Sequence, residues 1–499
     1  MKRIVKFLFP AFIFLFIFSF CVKGKSDELK VGAAEVDITP AGTVYIAGWS
    51  PYRISKGVKS PLKVNILAIE SKGAKGKTES AMILAFDLVS VRAGLMLPLR
   101  KAISEKFPDF DINKILICAT HTHCAPVVND PDTVPKGITK PSDYVRSIIP
   151  KIIAGMESAW NSRCKAKFSY GLGNAAVACN RVSVYKNGSG QMYGKTGTPS
   201  FRSIESAEDH EVGSMFFWDE KDHPIAFLVN VACPAQENER HDNQYLSSDY
   251  WGDVRDLVHK KYGESTVVVG ICAAAGDVSP HQTYHTAARN RMIRLRNLSD
   301  TEEIARRIFQ GIEEVYPYAF TDRQDSIIMK HQHKVLSLPQ RIPTKEEYER
   351  VIAENKKLGD LKNTTTRGND RIIERYLALE KNPQPLFKTP VNVLRLGDTV
   401  LCTNQFEYYT AYGIQIKARS RAVQTFVAQL TNGCKDFDTS DPEKLNTLQN
   451  WGSSGSYLPT KTGVKGGAYG GMLRTNIVGP EGGQVLAEET LKMIEDLWK

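Results

Sequence analysis

The chain has 499 residues, 42% hydrophobic and 24% charged, enough to bury a large core in one big domain. Its net charge is +10, but the lysines and arginines are scattered, with no dense basic run and no nucleic-acid motif, so a nucleic-acid partner is excluded. Nine cysteines with no CxxC pair and no dense framework, in a chain this large, argue against a disulfide scaffold and leave room for one or two bridges.

Lys2, Arg3 and Lys6 precede the apolar run "FLFPAFIFLFIFSFC" from Phe7 to Cys21, and polar "KGKSDE" follows. A basic lead and a short apolar stretch predict an export signal over residues 1–21 rather than a membrane span. Cys21 sits where a lipoprotein is cleaved and acylated, so the expected location is exported: periplasmic, anchored through Cys21, or secreted. From "VNILAIES" and "SAMILAFDLVSV" onward, strand-like runs alternate with helix-like ones. "AGLMLPLRKAISEKF" predicts a helix, "KILICAT" a strand, and "DYVRSIIPKIIAGMESAW" a second helix. "PIAFLVNVAC", a helix from Asp249, "STVVVGICAAAG", a helix from Asp300, "VNVLRLGDTVLCT" and the closing helix "EGGQVLAEETLKMIEDLWK" complete the series. The pattern predicts an α/β fold: one domain over residues 30–499, buried mixed sheets flanked by helices, and an active site at strand ends. Residues 338–390 are more helical and more charged and read as an insertion.

Five places carry polar residues that packing does not request. "ATHTHCAP" ends a strand on His121 and His123; continued β alternation would point both imidazoles into one pocket, a good start for a metal site, and a hydrogen-bonded histidine pair is the plainer alternative. "CAAAGDVSPH" presents Ser279 after a turn in which Asp277 could simply bond its own backbone. "TNQFEYYTAYG" sets Glu407 at the head of a helix, where a carboxylate favours the dipole. "ACNRVSVY" offers Asn180 and Arg181. "GSSGSYLPTKTGVKGGAYGG" is rich enough in glycine for close approach to a ligand and carries Tyr457 and Tyr469. There is no GxSxG elbow, HExxH helix, P-loop or GxGxxG after the first strand. A serine hydrolase would need Ser279 with a histidine and an acid that the sequence does not assign.

In this order the pieces resemble the N-terminal catalytic domain of the neutral/alkaline non-lysosomal ceramidase family. "VGAAEVDITP" resembles that family's start, "ATHTHCAP" its HTHSGP motif, "CNRV" its NRS segment, and "GDVSP" is the same in both. "FEYYTAYGIQIKARSR" is similar to its glutamate-led helix; "LTNG", "YLPT" and "YGG" are similar to its tyrosine-bearing closing loops. The resemblance runs from about Val31 to the last helix and leaves no room for the family's C-terminal immunoglobulin-like domain. It implies a zinc-dependent amidase acting on ceramide or a related N-acyl lipid. His121, Glu407 and Tyr457 would be metal ligands, His123, Arg181 and Tyr469 would line the catalytic centre, and Ser279 would lie at the substrate amide. One departure stands out. The family supplies a further histidine ligand in a segment resembling "NxxxHP", and here "NVACPAQENERHDNQYLSSDYWG" has proline or glutamine near that place, around Pro234–Gln236. Cys233, Gln236, Glu237 and His241 lie nearest as replacements, and His123 is a further substitute. Two other readings stay open: a surface binding protein without catalysis, and a hydrolase of a sugar-linked or peptide-like amide or ester.

Overall fold

The computed structural model describes residues 28–73, 77–131, 133–359, 364–433 and 457–499. The predicted export signal, Cys21 and the first residues of the glycine-rich run lie outside them. Eight strands form the larger sheet: β1 (Glu28–Asp37), β2 (Lys63–Lys72), β3 (Thr78–Phe86), β4 (Ile115–Ala119), β5 (Cys164–Asn174), β6 (Glu211–Asp219), β7 (Pro224–Val231) and β8 (Val267–Cys272). Their spatial order is β8-β7-β6-β5-β1-β2-β3-β4. The pairs β7–β8 and β3–β4 are parallel and the rest antiparallel, so the sheet is mixed. A second sheet holds β9 (Met329–Pro339), β10 (Leu386–Leu396), β11 (Thr399–Thr403) and β12 (Gln424–Ala428), in that order.

Both faces of each sheet are covered, which is why the strands read as near-continuous apolar runs. In β2, Ile66 and Ala68 pack against α1 (Ala93–Lys106) and α2 (Pro141–Asn161), whereas Leu67 and Ile69 meet Leu394, Leu401 and Phe426 of the second sheet. Farther along the sheet, Phe216, Phe227 and Val268 pack against α3 (Tyr250–Tyr262) and α5 (Asp300–Thr321), with the short α4 (Thr286–Arg296) between those two helices in sequence. The outer face of the second sheet is covered by α8 (Thr410–Arg419) and the closing helix Pro480–Asp496. The result is four layers: helices, sheet, sheet, helices. The α/β expectation with buried mixed sheets holds.

The charged stretch expected as an insertion is a helical hairpin, α6 (Lys345–Leu358) and α7 (Thr364–Ala378), set between the paired strands β9 and β10. Two runs are shorter or more divided than their composition predicts. "SAMILAFDLVSV" leaves the strand at Phe86, and Asp87, fully buried, turns back to accept from Lys63 N and Arg255. "VNVLRLGDTVLCT" is a hairpin, because Gly397 (φ 59°) and Asp398 reverse the chain between β10 and β11. The seven described cysteines are free.

Candidate active site

The site forms where strand ends of both sheets meet. β4 stops at Ala119, and His121 lies beyond it with φ 70°, a left-handed conformation uncommon for a non-glycine residue. The two histidines do share a pocket, with ring centroids 4.8 Å apart, but a turn rather than β alternation puts them there. His121 Nδ1 faces the Val89 carbonyl at 2.8 Å, which fixes its proton on that nitrogen and leaves Nε2 as an acceptor. That Nε2 lies 3.2 Å from His123 Nε2 and 3.7 Å from Glu407 Oε2. Burial, with the neighbouring His123, pushes the His121 pKa down to about 3, so its imidazole is neutral near pH 7.

Glu407 does not cap a helix. It stands in a two-residue strand, Glu407–Tyr408, paired in parallel with Tyr457–Leu458, and the Tyr457 hydroxyl hydrogen-bonds its carboxylate. Burial raises the Glu407 pKa against the pull of Arg181. The acid that does cap α8 is Asp277: its Oδ1 accepts from Thr410 N at 2.7 Å and Thr410 Oγ1 at 2.8 Å, and its Oδ2 from Asn180 Nδ2 at 3.0 Å. Asp277 does bond its own backbone amide, and these three long-range bonds to Thr410 and Asn180 are added to it.

Another short pair, Cys179–Asn180 with Val278–Ser279, carries Arg181 into the site. The Arg181 Nη2 donates to Gly276 O at 2.9 Å and to the Tyr457 hydroxyl at 3.1 Å. Tyr469, 41% exposed, packs edge-on to Tyr457 from the rim. Ser279 is fully buried; its hydroxyl accepts from Tyr193 OH at 3.0 Å and from His281 N at 3.2 Å, so Tyr193 stands between it and Arg181.

The segment around the missing histidine fills the remaining side. Gln236 brings its amide nitrogen 2.8 Å from His123 Nε2, and its buried Oε1 has no hydrogen-bond partner among the described residues. Glu239 Oε2 sits 2.5 Å from His123 Nδ1 and also accepts from the Trp49 indole at 3.1 Å. Although burial works the other way, His123 and His281 hold the Glu239 carboxyl down at about 2. The chain at Gly48 (φ 94°) passes so close that a Cβ there would lie 2.5 Å from His123 Cγ. Glu239, Tyr193 and Trp49 were missed by sequence reasoning. The one available signal was the crowding of Gln236, Glu237 and Glu239 in "PAQENER".

The other replacements weighed from sequence lie elsewhere. Cys233 directs its thiol to the Val177 and Pro234 carbonyls. His241 is at the surface, 3.9 Å from Asp300 Oδ2. With Glu237, these two bring ligand atoms within 4.8 Å of one another, a group with the geometry to hold a metal ion. Arg289 already lies between the acids there, 2.7 Å from Asp300 Oδ1 and 3.7 Å from Glu237 Oε1.

The main centre fits a metal on chemical grounds. A neutral imidazole nitrogen faces a carboxylate oxygen that a phenol also bonds, and among the described residues no donor is directed at the His121 lone pair apart from His123. No family model matches the sequence, and no curated protein matches it. Among solved structures, the chain is similar to neutral ceramidase from Pseudomonas aeruginosa, at 14% identity over 94% of this chain and 74% of that one, with a TM-score of 0.63. It is equally similar to a ceramidase complexed with C2, again 14% identical, over 94% and 75%, with a TM-score of 0.63. These structural neighbours share its fold.

Proposed function

We propose, from the fold shared with neutral ceramidases, that the chain is an exported metal-dependent hydrolase cleaving the amide of ceramide or a related N-acyl substrate. The observation that carries this reading is a buried chain of contacts: His121 Nε2 lies 3.7 Å from Glu407 Oε2, the Tyr457 hydroxyl hydrogen-bonds the Glu407 carboxylate, and Arg181 Nη2 donates to that hydroxyl at 3.1 Å. In this proposal His121, Glu407 and Tyr457 hold zinc. Zinc in that position supplies Lewis acidity and a lowered pKa for water.

The protein's own groups do the rest. Hydrolysis joins a water oxygen to the carbonyl carbon and breaks the carbon–nitrogen bond, leaving negative charge on the carbonyl oxygen on the way. Arg181, fixed by Gly276 and Tyr457, presents a permanent charge to that oxygen without having to reorganise. Tyr469 reaches the same place from the rim, where a substrate enters. Ser279 acts through Tyr193, which it anchors beside the guanidinium. The leaving amine takes a proton from the site, and His123, beside His121, is the residue we assign to carry it.

Purified protein supplied with zinc is expected to release fatty acid from a ceramide or N-acyl panel, and Arg181→Ala to lower kcat/KM by about 100-fold or more. Metal-replete protein inert on both panels sinks the amidase assignment and favours the silent binding protein. Export and anchoring through Cys21 form part of the proposal; fatty-acid labelling abolished by Cys21→Ala is the expected result.

A further inference from the structure

We propose a second cation site, built from other residues than the centre around His121 and Glu407, at which Glu237, His241 and Asp300 hold a divalent transition-metal ion. It stands independently of the hydrolase reading.

Two elements meet there. A short 3-10 turn, Glu237–Arg240, follows Gln236, and His241 stands at its end. Asp300 is the first residue of α5. One ligand atom from each of the three side chains lies within 4.8 Å of the other two. His241 Nε2 is 3.9 Å from Asp300 Oδ2, too far for a hydrogen bond. Donors about 2.0–2.2 Å from a zinc ion stand roughly 3.4 Å apart in a tetrahedron, so movements of about 1 Å close the group. His241 is exposed and has room to swing inward. An imidazole beside two carboxylates suits zinc or manganese better than calcium or magnesium, which favour all-oxygen sites.

What points to a ligand is a buried carboxylate with nothing to bond. Glu237 is 3% exposed, and its Oε2 has no hydrogen-bond partner among the described residues. A carboxylate taken out of water is costly unless a cation meets it. Burial raises its pKa to about 7 against the pull of Arg289, and Asp249 and Asp300 add to the rise. His281, equally buried, brings Nε2 only to 3.9 Å from that oxygen, and neither of its ring nitrogens has a hydrogen-bond partner of good geometry among the described residues. Both side chains line one cavity of about 450 Å³ together with His241 and Asp300.

The arginines of that cavity do not take the cation's place. Arg289 Nη1 meets Asp300 Oδ1 at 2.7 Å and its Nη2 approaches only Glu237 Oε1, at 3.7 Å, which leaves the second oxygen of each acid open. Arg240 lies over the Tyr193 ring at 5.0 Å, and Arg294 is exposed. The turn also carries Glu239 and follows Gln236, the two side chains that pack against His123. An ion at Glu237 would therefore pin to α5 the segment in which the family's histidine is missing.

Zinc titration of the metal-stripped full chain, with bound zinc counted and the ion located by anomalous diffraction at the zinc edge, tests this without reference to turnover. A peak among Glu237, His241 and Asp300 is expected in the unmutated protein. His241→Ala, a surface change, and Glu237→Gln should each remove one zinc per chain, or weaken that site by more than the ~10–100-fold that loss of a supporting group costs. His121→Ala should leave it as it is. No peak among the three residues overturns the proposal, and that result needs no variant to fold. So does His241→Ala with the same zinc count and affinity as the unmutated chain, even where a crystal shows a peak, which is then an adventitious ion only. One zinc per chain, lost in His241→Ala and kept in His121→Ala, upholds this site and sinks the zinc reading of the other centre. One zinc lost in His121→Ala and kept in His241→Ala does the reverse.

Discussion

Gly276 shows how a single position can tie two parts of the site together. A Cβ there would lie 2.4 Å from the Glu407 carbonyl oxygen and 2.8 Å from its carbon, both backbone atoms that cannot swing aside. The Gly276 amide meanwhile donates to Tyr408 O at 2.8 Å, and its own carbonyl accepts from Arg181. Gly276→Ala is therefore expected to cost about 1–3 kcal/mol of stability and to weaken zinc binding by displacing Glu407. Chemical denaturation and metal titration read the two effects; full metal affinity in a stably folded variant would refute the coupling. From sequence, "CAAAGD" is legible as a place where small residues are needed, but not for whom. The neighbour is the strand at Glu407, far along the chain, and nothing local names it. His121 has the same limitation: the pairing with His123 was readable, but the positive φ that creates it was not.

Helix α5 carries a charge cluster whose energetics follow pH. Glu303, almost fully buried, receives Arg296 from α4 at 3.0 Å and Arg306 and Arg307 from its own helix at 2.9 and 2.8 Å. Burial alone would raise its pKa, yet the hydrogen bonds from Arg306 and Arg307 bring it down to about 2. A carboxyl depressed in the folded state contributes stability that is complete above its unfolded pKa of about 4.3 and is lost as pH falls toward 2. Glu303→Gln should thus destabilise the protein at pH 7 by about 1–2 kcal/mol, the arginines being partly solvated, and by much less near pH 2. Urea melts across that range check the sign; a penalty that grows toward low pH would contradict it. Elements of this length were legible because their apolar spacing lies within the sequence window; the cap that starts α5, Ser299, is seen in the structure. The two-residue strands that align Arg181, Ser279, Glu407 and Tyr457 have no such local pattern.

On the scale of the molecule, the site exists only where the two sheets are in register. His121 follows the edge strand of the larger sheet, whereas Glu407 follows β11 of the smaller one. The interface between them is a buried apolar layer that includes Leu67, Leu228, Leu401 and Phe426. Phe426→Ala should cost about 3–5 kcal/mol, and thermal loss of metal binding should coincide with loss of the fold. Metal release well below the unfolding transition would show that the sheets are not what holds the ligands. The layered α/β class was readable from strands apolar on both faces. The division of those strands into two sheets was not, since the same composition serves a single sheet between helices.

The bridge between Glu407 and Tyr457 closes a loop of roughly 50 residues, and closing such a loop costs on the order of 3–4 kcal/mol in chain entropy. The parallel pairing of Glu407–Tyr408 with Tyr457–Leu458 helps offset that cost with protein contacts alone. If the centre holds the proposed cation, its donors are assembled by the fold, and its binding energy would appear as affinity rather than as the driving force for folding. Chelation should then leave a folded protein with a lower melting temperature, by an amount set by mass action alone.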